Sequence, residues 1–230
     1  MGRRRPPTAK EAWGPLVIVL RNGSGDLVRK IRAHNLNVMH FDLSQGLGGD
    51  CTSKRVHSRI LRLVRAGAVV SIVATPSHLT AAEAKSLAAI LQYSADRDIP
   101  VTVLGQADLA WWMGPVGRAM DNDLSESFYL DSCCYGTDWK SRWRVTGYRT
   151  PGLEELSVGC ASTSFCKFLG RHHIRLYENT YTGRLWIRKS LEPAPRFCFK
   201  LASIIADSIL ATELATAIHN SSGLRTLKDV

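Results

Sequence analysis

The chain has 230 residues, 45% of them apolar, six cysteines, a formal net charge of +10 and a pI near 9.6. This length buries one sizeable core with at most a small appendage, no apolar run approaches a membrane span, and the irregular cysteines in so long a chain exclude a disulfide-stapled mini-domain. The positive balance favours anionic partners, nucleic acid first.

Residues 1–14, beginning Met1-Gly-Arg-Arg-Arg-Pro-Pro, read as a disordered basic tail. A secretory signal is not expected, because the run from Trp13 to Leu20 is short, holds Pro15 and leads into Arg21-Asn22 without a small-residue cleavage site. The expected location is therefore intracellular, nuclear or cytoplasmic, with reduced thiols. Leu16 to Leu20 is predicted as a strand, Gly25 to His34 as a helix and Asn37 to Phe41 as a second strand. Gly23 and Gly25 permit positive φ and close approach of a ligand to the backbone, and Asp42 follows 17 residues after Gly25, about where an acid meets ribose hydroxyls. The spacing suits S-adenosylmethionine as well as a dinucleotide.

After a glycine turn at Gly46 to Gly49, Ser53 to Arg65 places Val56, Ile60, Leu61, Leu63 and Val64 at mainly helical spacing, with Arg55, Arg59, Arg62 and Arg65 outside. Ala68 to Ala74 reads as a buried parallel strand, Thr80 to Tyr93 as a helix opened by a Thr80/Glu83 capping box, and Ile99 to Leu104 as a strand. Alternation of this kind predicts an α/β fold, a doubly wound, mostly parallel Rossmann-like sheet that takes ligands at the carboxyl ends of its strands. Residues 15–220 are expected to form one domain, with a cofactor-type half over 15–120 and a basic C-terminal elaboration over 121–220, followed by a tail at 221–230. In the elaboration, 128–134, 173–178 and 184–188 are predicted as short strands. Pro195 to about His219 is predicted as a long helix packed through Phe199, Leu201, Ile204, Ile205, Ile209 and Leu210.

The landmarks, taken in order, resemble those of a C5-cytosine DNA methyltransferase, in the divergent form found in protist genomes and mobile elements. Leu20-Arg-Asn-Gly-Ser-Gly25 resembles the family's Leu-Phe-x-Gly-x-Gly cofactor turn, and His40-Phe-Asp42 the acid that ends strand two. Asp50 stands loosely where a third-strand acid reads the adenine amine. Val73-Ala-Thr-Pro-Ser77 resembles the Pro-Pro-Cys loop, and Val103-Leu-Gly-Gln106 with the following Trp111-Trp112 looks like a worn Glu-Asn-Pro or Glu-Asn-Val segment. Asp131-Ser-Cys-Cys-Tyr-Gly-Thr-Asp-Trp-Lys140, with Cys160 and His172/His173 beyond it, is similar to a downstream region of such domains. The resemblance spans residues 15 to 205 and implies a class I methyltransferase-like fold, with S-adenosylmethionine in a cradle of Asn22, Gly23, Ser24, Gly25, Asp42 and Asp50.

The departures concern the chemistry. A C5 methyltransferase adds a thiolate to cytosine C6 and uses a nearby carboxylic acid at N3. Ser77 stands where the resemblance places the cysteine, with only His78 beside it as a base, and Gly105 and Gln106 stand where it places the acid segment. The implied domain is inactive or weakly active, and its cofactor binding need not survive. The alternatives are an active S-adenosylmethionine-dependent methyltransferase with other catalytic residues, and a non-catalytic nucleic-acid-binding or interaction module.

Positive charge concentrates in residues 137 to 200, where twelve Lys/Arg face five acids. Trp139, Lys140, Arg142, Trp143 and Arg144 form the densest mixture of indoles and cations there and are the candidate nucleic-acid contact. As a strand the segment would carry Lys140, Arg142 and Arg144 on one face and Trp139 and Trp143 on the other. Cys134, Cys160, Cys166 and His172 or His173 are numerous enough for zinc. They lack the Cys-x2-Cys spacing that brings two thiolates together, so no metal is expected and buried free thiols are.

Overall fold

The structure, a computed structural model, describes residues 14–21, 25–42, 48–162, 164–174 and 192–223. Strand β1 (Leu16–Leu20) is apolar and buried at every position, as a central parallel strand covered on both faces must be. Gly25 then takes φ +74°, a left-handed conformation that a side chain resists, and starts helix α1 (Asp26–Arg32). Strand β2 (Asn37–Phe41) returns parallel to β1, with Phe41 level with Leu20.

The chain then crosses to the far side of β1. Helix α2 (Lys54–Arg65) buries Val56, Ile60 and Val64 and leaves its arginines outside. Strand β3 (Val69–Ala74) pairs with β1, helix α3 (Ala81–Ala95) follows, and strand β4 (Val101–Gln106) pairs with β3. The capping box that opens α3 is complete: the Glu83 N–H donates to the Thr80 hydroxyl, and the Thr80 N–H to the Glu83 carboxylate.

After the short helix α4 (Pro115–Ala119), strands β5 (Ser125–Asp131) and β6 (Arg142–Tyr148) complete a sheet of order β2-β1-β3-β4-β6-β5. Strand β6 is antiparallel to both its neighbours, so β5 points the same way as β1 to β4. The closing helix α5 (Pro195–Gly223) and α1 cover one face, and α2, α3 and α4 cover the other. The result is a doubly wound, mostly parallel, Rossmann-like α/β fold. Ile18, Leu20, Ile72 and Phe197 are among its fully buried side chains, each contributing roughly 1.5–3 kcal/mol of burial energy.

Several expectations for the second half are corrected. The strand expected over 128–134 occupies Ser125–Asp131, since an edge strand tolerates the exposed Glu126 and Ser127. Cys133 and Cys134 lie instead in a 3-10 turn, Ser132–Tyr135. On α5, Leu201, Ile204, Ile205 and Ile209 face the core, but Phe199 and Leu210 are exposed. Phe199 is about 200° of helix rotation from Leu201, and Leu210 about 100° from Ile209. The helix also runs past 219, into the expected tail. The strand expected at 184–188, and 175–178 of the one expected at 173–178, lie outside the described residues. His173 and Ile174 follow a small hairpin of β7 (Phe165–Cys166) and β8 (Arg171–His172) in irregular backbone.

Candidate functional site

The strand order reverses between β1 and β3, so the crevice outside their carboxyl ends is where an open α/β sheet takes its ligand. Asn22, Gly23 and Ser24 lie outside the described residues. Gly25 caps α1, and Asp42, buried, follows β2 at the same edge of the sheet. Asp50 joins them from the next turn: a Cβ built on Gly49 would fall 1.9 Å from the Asp42 carbonyl oxygen, so this segment lies directly against Asp42. The Asp50 carboxylate accepts from the Thr52 hydroxyl and N–H, which hold it below the usual carboxylate range. Cys51 beside it is buried, and burial pushes its thiol up to about 11 against the opposing field of Arg21.

Arg21 crosses this crevice. Its N–H donates to the Phe41 carbonyl, and its guanidinium donates to the Glu83 carboxylate and the His78 carbonyl. Thr75 donates through its hydroxyl to the Arg21 carbonyl and through its N–H to that of Leu20. Burial works against the charge on Glu83, but hydrogen bonds from Thr80 and Arg21 hold its carboxyl below the usual range. The guanidinium is therefore neutralised by an acid on α3 and does not present an unpaired cation to the crevice.

The positions that the resemblance assigns to catalysis lie close together. Ser77 is half-buried, and His78 is exposed and engaged through its carbonyl, not its ring. Gly105 lies against the same loop, since its added Cβ would be 3.4 Å from the Pro76 oxygen. That Cβ would also lie 2.5 Å from Trp111 Cζ2, so an indole fills the space into which an acid at this position would project. Trp111 stacks on Trp112 at 4.2 Å between ring centroids, and Trp112 Nε1 donates to the Gln106 carbonyl. The Gln106 amide donates to the Ser141 hydroxyl, tying the end of β4 to the loop before β6.

The basic segment forms one wall of an open groove at the same edge, between β4 and the outer strand β5. A cavity of about 650 Å³ is lined by Ala107, Asp108, Tyr129, Lys140, Ser141 and Arg142. A neighbouring one of about 440 Å³ shares Tyr129, Lys140 and Arg142 and extends to Asp131 and Cys160. Arg142 lies over the Tyr129 ring at 5.1 Å, and Tyr129 is 41% exposed. Tyr129 escaped the sequence reading because its partner cation comes from another strand.

Other members of the predicted contact are spent elsewhere. Trp139 and Trp143 are buried, and Trp143 packs in the core beneath β6, so neither indole offers a face to a base. Arg144 stacks on Trp112 at 4.5 Å and donates to Ser127 and Thr146. The Lys140 ammonium donates to the Cys160 carbonyl at 2.6 Å and lies 3.7 Å from the Asp131 carboxylate. The predicted sharing of a face holds for Arg142 and Arg144 within β6; Lys140 precedes the strand.

Cys133, Cys160, Cys166 and His173 converge behind this wall, their ligand atoms all within 4.8 Å of one another. Cys133 takes the place that the sequence suggested for Cys134, and His173, not His172, completes the group. Burial raises the Cys133 thiol, and also that of Cys134, to about 11 in the latter.

No protein-family model matches the chain, and no curated protein matches it in sequence. Among solved structures, the Dnmt2 methyltransferase of S. pombe is similar at a TM-score of 0.35 and 9% identity, over 89% of this chain and 99% of that one. That likeness is too distant to bear on activity. No helix among the described residues is long and apolar enough to cross a membrane.

Proposed function

We propose that this chain is a methyltransferase-like domain that has lost C5-cytosine chemistry and engages nucleic acid through the Tyr129/Arg142 groove. The observation that carries the reading is the placement of an exposed aromatic and a guanidinium at the carboxyl edge of the sheet, in a groove open enough for an unpaired base and its phosphate. Asp108 in the lining favours contact along the Arg142 wall over envelopment of the strand. The loss of chemistry follows from Ser77 without an engaged base and from the indole that fills the Gly105 position.

Fluorescence anisotropy with single-stranded and duplex oligonucleotides over a salt series tests this. Arg142→Ala is expected to weaken binding and to reduce the slope of log K against log salt by about one. An affinity unchanged by Arg142→Ala and Tyr129→Ala, with no salt slope, would remove the groove from the account.

A second reading, that the crevice still binds S-adenosylmethionine, draws on the β1–α1–β2 crossover with Gly25 in its left-handed turn and Asp42 one residue past the Leu20–Phe41 pair. Calorimetry is expected to detect binding that disappears in Asp42→Ala, without methyl transfer to cytosine. No heat at millimolar ligand would show that the cradle no longer serves a cofactor.

A further inference from the structure

The four groups gathered behind the groove have the geometry of a bound metal. Cys160 Sγ is 3.9 Å from Cys166 Sγ and 3.9 Å from His173 Nε2. A disulfide requires about 2.05 Å between sulfurs, so the thiols are not paired in that way. A tetrahedron with Zn–S of about 2.3 Å and Zn–N of about 2.0–2.1 Å has edges of roughly 3.8 Å between sulfurs and 3.6 Å between sulfur and nitrogen. The observed separations are close to these. Cys133, Cys160 and Cys166 are each 3% exposed or less.

We infer that Cys133, Cys160, Cys166 and His173 form a structural Zn2+ site that fastens the β7–β8 hairpin to the end of β5. Each ligand is delivered by a separate local device. The 3-10 turn after β5 directs Cys133 inward and leaves its neighbour Cys134 outside the group. The Cys160 N–H donates to the buried Asp131 carboxylate at 2.8 Å, which orients that loop. Hairpin pairing sets Cys166 opposite Arg171, and the His173 N–H donates to the Ser164 carbonyl at 2.7 Å, placing the imidazole beside the thiols.

Zinc binding would release the thiol protons to solvent and leave three thiolates and a neutral imidazole around the ion, with one net negative charge. Lys140, whose ammonium rests on the carbonyls of Cys160 and Ser162, is placed to offset it. Four protein ligands close the coordination sphere, so the ion has no open position for substrate. The segment also needs such a fastening: among the described residues, Cys134 and Leu169 are the apolar neighbours packed around the three buried thiols, and its strands are two residues each. The inference is independent of what the groove binds.

The test is metal content and cobalt spectroscopy on the full chain, purified reduced and without chelator. Wild type is expected to carry one zinc per chain and, after exchange with Co2+, to show thiolate charge transfer and the intense visible bands of tetrahedral cobalt. Cys166→Ser and His173→Ala are expected to lose the stoichiometric ion, whereas Cys134→Ser keeps it. Because the ligand variants can also fail to fold, wild type decides the matter. Folded, reduced wild type that holds no zinc and gives no tetrahedral cobalt spectrum overturns the site, as does loss of the ion in Cys134→Ser with retention in Cys133→Ser.

Discussion

Gly105→Ala is expected to lower the stability of the domain by about 2–3 kcal/mol, read as a fall in the urea midpoint at unchanged m-value. The new methyl would lie 2.5 Å from Trp111 Cζ2 and 3.1 Å from Cη2, and neither side of the clash can retreat cheaply. Gly105 is buried on a strand paired on both edges. Trp111 is buried against Trp112, which is held by its hydrogen bond to Gln106 and by Arg144 on its ring. Gly105→Glu, which puts an acid where the resemblance to C5-cytosine methyltransferases would have one, is expected to cost more. Removing the indole first should relieve the clash, so in a Trp111→Ala background Gly105→Ala should cost well under half as much. A Gly105→Ala protein as stable as wild type would mean that the space beside Gly105 is open to a side chain after all.

The first half of the fold was legible because each element announces itself locally. Leu16 to Leu20 needs only its own apolar run, and α3 only Thr80 and Glu83. Strand β6 does not: Arg142 to Tyr148 alternates charged and apolar residues and becomes a strand because it slots antiparallel between β4 and β5, a pairing made by residues far away in sequence. The site divides in the same way. The placement of Gly25 before α1 and of Asp42 after β2 could be read from spacing. The filling of the Gly105 position could not, because Trp111 reaches it through the turn that follows β4. The thiol group was named with Cys134 in place of Cys133 for a geometric reason as well. Its members are separated by 27, 6 and 7 residues, and the choice between the adjacent Cys133 and Cys134 depends on a 3-10 turn that the sequence suggested was a strand.

Asp131 joins the groove to the thiol group, and its removal is the second large effect expected. It is 7% exposed, its Oδ2 accepts from the Cys160 N–H, and the Lys140 ammonium stands 3.7 Å away. Breaking a fully buried pair costs about 3–5 kcal/mol. Lys140 keeps 27% of its side chain in solvent and has carbonyl acceptors in reserve, so Asp131→Ala is expected to cost about 2–3 kcal/mol. Asp131→Asn separates the two contributions: its amide oxygen can still accept from Cys160, so the loss should shrink to about 1 kcal/mol. With the carboxylate charge gone, adding Lys140→Met should then cost less than it does in wild type. Denaturant titrations of the four proteins check this order. If Asp131→Ala lies within about 0.5 kcal/mol of wild type, the ordinary range for a surface change, then the loop carrying Cys160 is held by something other than this carboxylate. If it does not, Asp131→Ala should also loosen the groove wall formed by Gly159, Cys160 and Ala161, and oligonucleotide affinity should fall although no cation was removed.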